Sequence, residues 1–200
     1  MQIAVLGWGS LIWDPRDLKS GKNWNKDGPL LPIEFARISD NGRLTLVICS
    51  NSNQVNVLWT MMEHKSLEMA RENLKEREGT LNIDRIGYVN LVDNTQSSRY
   101  DGIAEVIIPW AKSKKLGAVI WTDLGVRFKD KIQKDLNLKN IIDYLGNLNS
   151  TKKELAKEYI MNAPKQINTE YRKGIEESLG WKKRNLWQSI LRCIQLERKG

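Results

Sequence analysis

The segment Gly7-Trp8-Gly9-Ser10-Leu11 has residue types that could bind a ligand through its backbone. Two glycines one residue apart allow the chain to turn sharply and to approach a bound molecule closely. Free N–H groups in such a turn can hold a carboxylate, or an oxyanion that forms when a carbonyl is attacked. The alternative is a tight turn that Trp8 and Trp13 anchor in the core, and the spacing alone favours this alternative.

Glu78 is the carboxylate with the most suitable position for acid–base chemistry. It follows Leu74 by four residues and Leu67 by eleven, so on a helix it lies close to the apolar stripe. A carboxylate that faces the interior can take up and release a proton during a reaction. Considered on the helix alone, a glutamate that extends to solvent or pairs with Arg77 is the favoured interpretation.

Both segments resemble motifs of the gamma-glutamylcyclotransferases, above all of the ChaC branch, whose N-terminal loop reads Tyr-Gly-Ser-Leu-Ile-Trp. In this chain Trp8 stands at the position of the tyrosine, and residues 9–13 match the rest. The branch also has a helix that ends in Leu-x-x-Arg-Glu before a glycine, and residues 74–79 reproduce this pattern. A following Gly-Tyr pair is replaced here by Thr80-Leu81, which leaves the substrate specificity open.

The resemblance implies a reaction that needs no metal and no cofactor. The α-amine of a small gamma-glutamyl substrate would attack its γ-carbonyl, which yields 5-oxoproline and a free amine or peptide. Glu78 would act as the acid/base, and the order and separation of the two motifs favour this role over a structural one. The implied substrate-binding residues are those of the loop: Gly7, Trp8, Gly9, Ser10 and Leu11.

The first half of the chain is predicted to be rich in β-strands. Residues 3–6 form a short apolar run before a glycine, which is typical of a buried strand. Residues 33–38 and 43–48 flank Asp40-Asn41-Gly42, a sequence that favours the turn of a hairpin. Residues 54–61 are predicted to add one further strand, so that three successive strands form a meander.

A helix is predicted over residues 67–78, because Ser66 can cap its start and Gly79 can end it. The second half of the chain is predicted to be mostly helical. Its first helix is predicted at 103–115, although Pro109 argues against a continuous helix there. The further helices are predicted at 138–145, 152–161 and 167–179, and strands at 83–92 and 118–121.

These elements indicate an α+β (mixed) fold. The resemblance implies, more specifically, a gamma-glutamylcyclotransferase-like small mixed β-sheet or barrel with packed helices. We predict a single domain over residues 1–200, of which 125–200 form a mostly helical C-terminal part.

Two further groups of polar residues lie near predicted strand ends. Trp121-Thr122-Asp123 follow a short strand, a common place for binding residues, but a core tryptophan and a helix-capping Asp or Thr are the favoured roles. Asp14 and Arg16 could lie at the rim of a pocket, whereas Pro15 between them favours simple turn chemistry.

Histidine and cysteine usage excludes several kinds of site. The single histidine, His64, rules out a His-rich metal cluster, and its charged neighbours favour an exposed linker. Cys49 and Cys193 form no paired motif, so neither a disulfide nor a zinc site is expected, and Cys49 is predicted to be buried. No apolar run is long enough to span a membrane and no leader is recognisable, which predicts a cytoplasmic protein.

The net charge of +8 leaves the kind of partner open. It is compatible with an anionic substrate, with nucleic acid or with a solubilising surface. The densest basic cluster begins at Lys182-Lys183-Arg184, and elsewhere basic residues alternate with acidic ones, which favours the solvated surface. A non-catalytic protein of the same fold that binds a small ligand, and a nucleic-acid-associated protein, are therefore the alternatives to the enzyme.

Overall fold

The computed structural model describes residues 1–181, which form two β-sheets with helices packed against them. This arrangement confirms the predicted α+β fold. The two sheets stay separate, so the closed barrel that the resemblance also allowed is not present in the described part of the chain.

The larger sheet has five strands in the order β5-β1-β8-β6-β7. The strands are β1 (Ile3–Gly7), β5 (Leu58–Met61), β6 (Ile86–Asn90), β7 (Thr95–Ser97) and β8 (Ala118–Thr122). β1 and β8 are parallel, whereas the other neighbouring pairs are antiparallel. Because parallel strands end at the same edge of a sheet, the segments that follow β1 and β8 lie side by side.

The smaller sheet has three antiparallel strands in the order β3-β2-β4. They are β2 (Leu30–Ile38), β3 (Leu44–Ile48) and β4 (Gln54–Asn56), and the β2–β3 hairpin confirms the turn predicted at residues 40–42.

The predicted meander is wrong, because β4 pairs with β2 and not with β3. The run 54–61 is also two strands in two different sheets, and Val57 lies between them. The backbone N–H of Val57 donates to the carbonyl of Pro29, so the chain is held at this point while it passes from one sheet to the other. The nine residues of β2 are long enough to take one partner on each edge, and a strand pattern does not specify which edge is used.

Alternate residues of β1 and β8 belong to two different apolar clusters, one on each face of the larger sheet. Ile3 and Val5 pack with Leu74 of helix α1 (Leu67–Glu78), whereas Ala4 and Leu6 pack with the smaller sheet and the C-terminal helices. A strand covered on both faces reads as a continuous apolar run, which is what residues 3–6 show.

Helix α1 follows its sequence signals closely. The hydroxyl of Ser66 accepts a hydrogen bond from the N–H of Met69, and Gly79 ends the helix in the left-handed conformation at φ 64°. The predicted start and end of the helix are therefore confirmed.

The four further helices that were predicted are present at about the predicted places, and a short helix at residues 129–132 was not predicted. These helices are α2 (Ile103–Ser113), the short α3 (Lys129–Ile132), α4 (Leu138–Gly146), α5 (Ser150–Asn162) and α6 (Glu170–Leu179), and a 3₁₀ turn (Ile83–Arg85) precedes β6. α2 continues through Pro109, and its buried face, which includes Ile107 and Ala111, packs in the larger apolar cluster. No helix within residues 1–181 is long and apolar enough to cross a membrane.

Candidate active site

A cavity of about 250 Å³ lies at the edge of the larger sheet where β1 and β8 end. The loop of residues 7–11, the C-terminal end of α1 and Thr122 of β8 line it. The β2–β3 hairpin, the segment after β8 and Tyr159 of α5 complete the wall. The structure thus brings the predicted loop and the predicted acid/base into one cavity.

The loop of residues 7–11 combines both roles that its sequence allowed. Trp8 is buried, and its Nε1 donates to the carbonyl of Leu46 at 3.4 Å, so the tryptophan anchors the turn in the core. The N–H of Ile12 donates to the carbonyl of Gly9 and closes the turn. The N–H groups of Gly9 and Leu11 donate to no acceptor within residues 1–181, and both residues line the cavity.

The two glycines are required because other groups approach their Cα atoms closely. A Cβ atom at Gly7 would lie 2.6 Å from the indole of Trp24, and a Cβ atom at Gly9 would overlap with the hydroxyl of Tyr159. Steric approach, and not a positive φ, therefore explains both residues.

Glu78 is the last residue of α1, and its side chain is 14% exposed. Nη1 of Arg77 lies 2.7 Å from its Oε1, and the hydroxyl of Thr122 donates to the same oxygen at 3.2 Å. Glu78 therefore does not face purely apolar groups, contrary to the prediction from its place near the apolar stripe. It pairs with Arg77, the interpretation that the helix alone favoured, and it also accepts a hydrogen bond from a hydroxyl. Oε2 accepts no hydrogen bond within residues 1–181, so one carboxylate oxygen is held and the other is not.

Arg77 joins the two motifs. Its side chain is only 4% exposed, and Nη2 donates to the hydroxyl of Ser10 at 3.3 Å and to the carbonyl of Asp14. A buried guanidinium that binds both segments fixes their relative position, because a planar fork of donors tolerates little displacement. The sequence motif indicated Arg77 only as a neighbour and possible ion-pair partner of Glu78, and nothing in it predicted the contacts with Ser10 and Asp14.

Tyr159 is a cavity residue that the sequence analysis missed. It comes from α5, and its hydroxyl accepts a hydrogen bond from the N–H of Leu46 at 3.5 Å. Burial raises the pKa of Tyr159 to about 12, and the negative charge of Glu78 adds to this effect. The phenol is therefore neutral and keeps its proton in ordinary buffers. A tyrosine on the buried side of a helix carries no local signal that would distinguish it from a core residue.

Arginine side chains dominate the charge of the cavity, a feature the sequence analysis also missed. Six arginines line it against two carboxylates, those of Asp40 and Glu78. The arginines are Arg16, Arg37, Arg43, Arg77, Arg85 and Arg127. They are scattered along the chain among acidic residues, so only the fold shows that they share one surface. The basic cluster at residues 182–184 lies outside the described residues.

The other candidate residues have mixed outcomes. Trp121 is a core residue as predicted, whereas Asp123 caps no helix and instead accepts a hydrogen bond from the backbone N–H of Arg99. Arg16 lines the cavity, although simple turn chemistry was the favoured interpretation, whereas Asp14 is not among the lining residues and pairs with Arg16. Cys49 is half-buried and not fully buried.

His64 is partly exposed and lies between a β-bridge residue and α1, in agreement with a linker. Cys193 lies outside the described residues. Within residues 1–181 no group of three or more histidine, cysteine, aspartate or glutamate side chains is arranged to hold a metal ion.

No protein-family model, no curated protein and no solved structure matches this chain. The relation to the gamma-glutamylcyclotransferases therefore stays a prediction that depends on the two motifs.

Proposed function

We propose that this protein is a gamma-glutamylcyclotransferase-like enzyme that converts a small gamma-glutamyl amine or peptide into 5-oxoproline and a free amine. The observation that carries the proposal is that the loop of residues 7–11 and Glu78, far apart in the sequence, line one cavity and are joined through Arg77.

Substrate binding would use the backbone of the loop. The N–H groups of Gly9 and Leu11 have no acceptor within residues 1–181, so they are available to a carboxylate or to an oxygen that gains negative charge. A rigid turn held by Trp8 and Arg77 needs little rearrangement when the substrate binds, which lowers the entropic cost of reaching a reactive geometry.

Glu78 would transfer the proton. The α-amine nitrogen of the substrate forms a bond to its own γ-carbonyl carbon, and the bond from that carbon to the leaving amine breaks. The proton lost by the attacking amine passes to Glu78 and then to the leaving amine, so that no water or further reactant is consumed. Arg77 and Thr122 hold Oε1, which leaves Oε2 as the oxygen that takes the proton.

The test is release of 5-oxoproline from a panel of gamma-glutamyl compounds by the wild type and by Glu78→Gln. We expect release by the wild type and a loss of at least about a hundred-fold in the variant, because an amide cannot act as the base. Glu76→Gln is the matched control, since Glu76 is exposed on the same helix and should leave turnover unchanged.

Folding has to be checked in parallel, because Glu78→Gln removes the charge that faces the buried Arg77. A circular dichroism spectrum and a cooperative melt like those of the wild type would show that lost turnover is a chemical effect. Release of 5-oxoproline by Glu78→Gln at the wild-type rate would contradict the assigned role, and no release from any compound by folded wild type would contradict the proposal.

One observation favours a second candidate, a non-catalytic protein that binds a small carboxylate in the same cavity. Glu78 already has an ion-pair partner, so it could serve only to hold Arg77 in place. In that case calorimetry shows that the wild type binds gamma-glutamyl compounds, and no 5-oxoproline is released.

A further inference from the structure

The arginines of the cavity are too many for the carboxylates near them. Within residues 1–181, Arg16 is paired with Asp14 and Arg77 with Glu78. Arg127 is paired with Asp40, whose side chain is 85% exposed. Like charges gathered in a concave surface repel each other, and their field attracts anions. An anionic ligand would relieve this repulsion.

Arg37 and Arg85 lack a carboxylate partner in the described part of the chain. Nη1 of Arg37 donates to the carbonyl of Gly125 at 2.9 Å, a neutral acceptor. The side chain of Arg85 is exposed and makes no hydrogen bond or ion pair within residues 1–181. Arg37, Arg85 and Arg127 line the same cavity, and the backbones of Arg37 and Arg127 are joined by a β-bridge. Burial lowers the pKa of Arg37, and the positive charges of Arg127 and Arg85 lower it further.

These arginines enter the cavity from elements different from those that carry the proposed catalytic groups. Arg37 lies on β2, Arg127 pairs with β2 through a short bridge, and Arg85 precedes β6 next to the segment that follows β8. Glu78 and the loop of residues 7–11 come from α1 and from the end of β1. The cavity therefore has one set of groups suited to a gamma-glutamyl unit and another suited to a separate anion.

We propose that the amine part of the substrate carries an acidic side chain, a carboxylate or a phosphate in addition to the α-carboxylate that every amino-acid amine has, and that Arg37, Arg85 and Arg127 bind this side chain. The inference rests on the proposed cyclotransferase function and names its substrate class. Guanidinium groups bind both anions through paired, charge-assisted hydrogen bonds. The acidic group takes no part in bond making, so its contacts position the amine that leaves.

The test compares substrates that differ in the acidic side chain and share the α-carboxylate of the amino acid. Gamma-glutamyl-glutamate is paired with gamma-glutamyl-glutamine, and gamma-glutamyl-phosphoserine is paired with gamma-glutamyl-serine. We expect kcat/KM for 5-oxoproline release to be about ten-fold to a hundred-fold higher for the acidic member of at least one pair. Whichever pair shows the larger ratio identifies the anion as carboxylate or phosphate.

Arg85→Gln tests whether the preference for the acidic substrate comes from the arginines of the cavity. Its exposed side chain has no partner within residues 1–181, so the substitution should not disturb the fold. We expect it to reduce the acidic-to-neutral ratio of kcat/KM by about ten-fold. Lys139→Gln removes the same charge from an exposed position on α4, outside the cavity, and should leave the ratio unchanged.

Failure of this inference and failure of the proposed function give different results. Equal kcat/KM for the two members of both pairs would overturn the acidic substrate and leave the cyclotransferase intact. If no compound releases 5-oxoproline, the proposed function fails, and calorimetric binding of the same pairs to the wild type and to Arg85→Gln decides the anion site separately. Equal affinities for acidic and neutral members would then overturn it.

Discussion

Tyr159 shows how closely single residues are fitted at this site. Its ring packs edge-on against Trp13 and Phe35, and the guanidinium of Arg43 lies over it at 5.6 Å. Its hydroxyl points to the backbone of the loop and leaves no room for a Cβ atom at Gly9. The loop and α5 therefore depend on each other, and a change in one should be measurable through the other.

We expect Gly9→Ala to lower the free energy of unfolding by about 1–3 kcal/mol, the usual range for an overpacked site. In a Tyr159→Phe background the same substitution should be much less costly, because the next nearest atom of Tyr159 lies 3.5 Å from the added Cβ. Chemical denaturation of the four proteins in this double-mutant cycle measures the coupling.

Gly146→Ala is the matched control, since nothing lies within 4 Å of a Cβ at that position. It should be neutral or slightly stabilising, because alanine favours the helix more than glycine does. A penalty for Gly9→Ala that is the same with and without the Tyr159 hydroxyl would show that the overlap does not determine the choice of glycine.

At the scale of elements, the C-terminal end of α1 positions Glu78, the proposed acid/base. The helix carries Glu78 in its last turn and Arg77 beside it, so the point at which the helix stops decides where both charges lie. Gly79 stops it at φ 64°, and its N–H donates to the carbonyl of Glu76. An early or late end would move the ion pair away from the loop of residues 7–11.

We expect Gly79→Ala to lower the free energy of unfolding by about 1 kcal/mol, because a residue with a Cβ is disfavoured at positive φ. No atom lies within 4 Å of the added Cβ, so the penalty reports backbone conformation and not a clash. Gly79→Asn should cost less, since asparagine adopts the left-handed region more readily. Chemical denaturation of the wild type, Gly79→Ala and Gly79→Asn gives the three midpoints. Equal midpoints would contradict the backbone explanation.

At the scale of the whole molecule, Glu34 attaches the C-terminal helices to the smaller sheet. It lies on β2, is 3% exposed, and accepts hydrogen bonds from the N–H groups of Phe35 and Tyr171. Tyr171 lies in the first turn of α6, where free N–H groups and the helix dipole favour a negative charge. Burial nevertheless raises the pKa of Glu34 above its ordinary value of 4.5, and the charge of Glu170 acts in the same direction.

The raised pKa predicts how stability depends on pH. Folded Glu34 binds its proton more tightly than unfolded Glu34, so the folded state carries more protons between pH 4.5 and the raised folded pKa. The free energy of unfolding should therefore fall as the pH rises through that range. We expect wild type to lose stability relative to Glu34→Gln over the same range.

Denaturation at a series of pH values gives the difference between the two proteins. Glu177→Gln, at an exposed position on α6, is the control and should run parallel to the wild type. If the difference in the free energy of unfolding between the wild type and Glu34→Gln stays constant above pH 4.5, the buried carboxyl does not control the pH dependence of stability.

The elements that sequence patterns predicted correctly are those determined by neighbours along the chain. A serine cap, an apolar stripe and a terminal glycine placed α1, and an Asp-Asn-Gly turn placed the β2–β3 hairpin. Two local motifs also predicted which loop and which carboxylate would line one cavity. These signals suffice because capping, periodicity and turn conformation involve residues only a few positions apart.

Features that depend on distant segments appeared only in the tertiary structure. The pairing of β4 with β2, the place of Tyr159 beside Gly9 and the gathering of six arginines in one cavity each join parts of the chain that carry no shared pattern. The sequence by itself determined the local elements and the candidate loop and acid/base. Only the fold decided the charge of the cavity, because the positions of side chains from separate elements depend on how those elements pack.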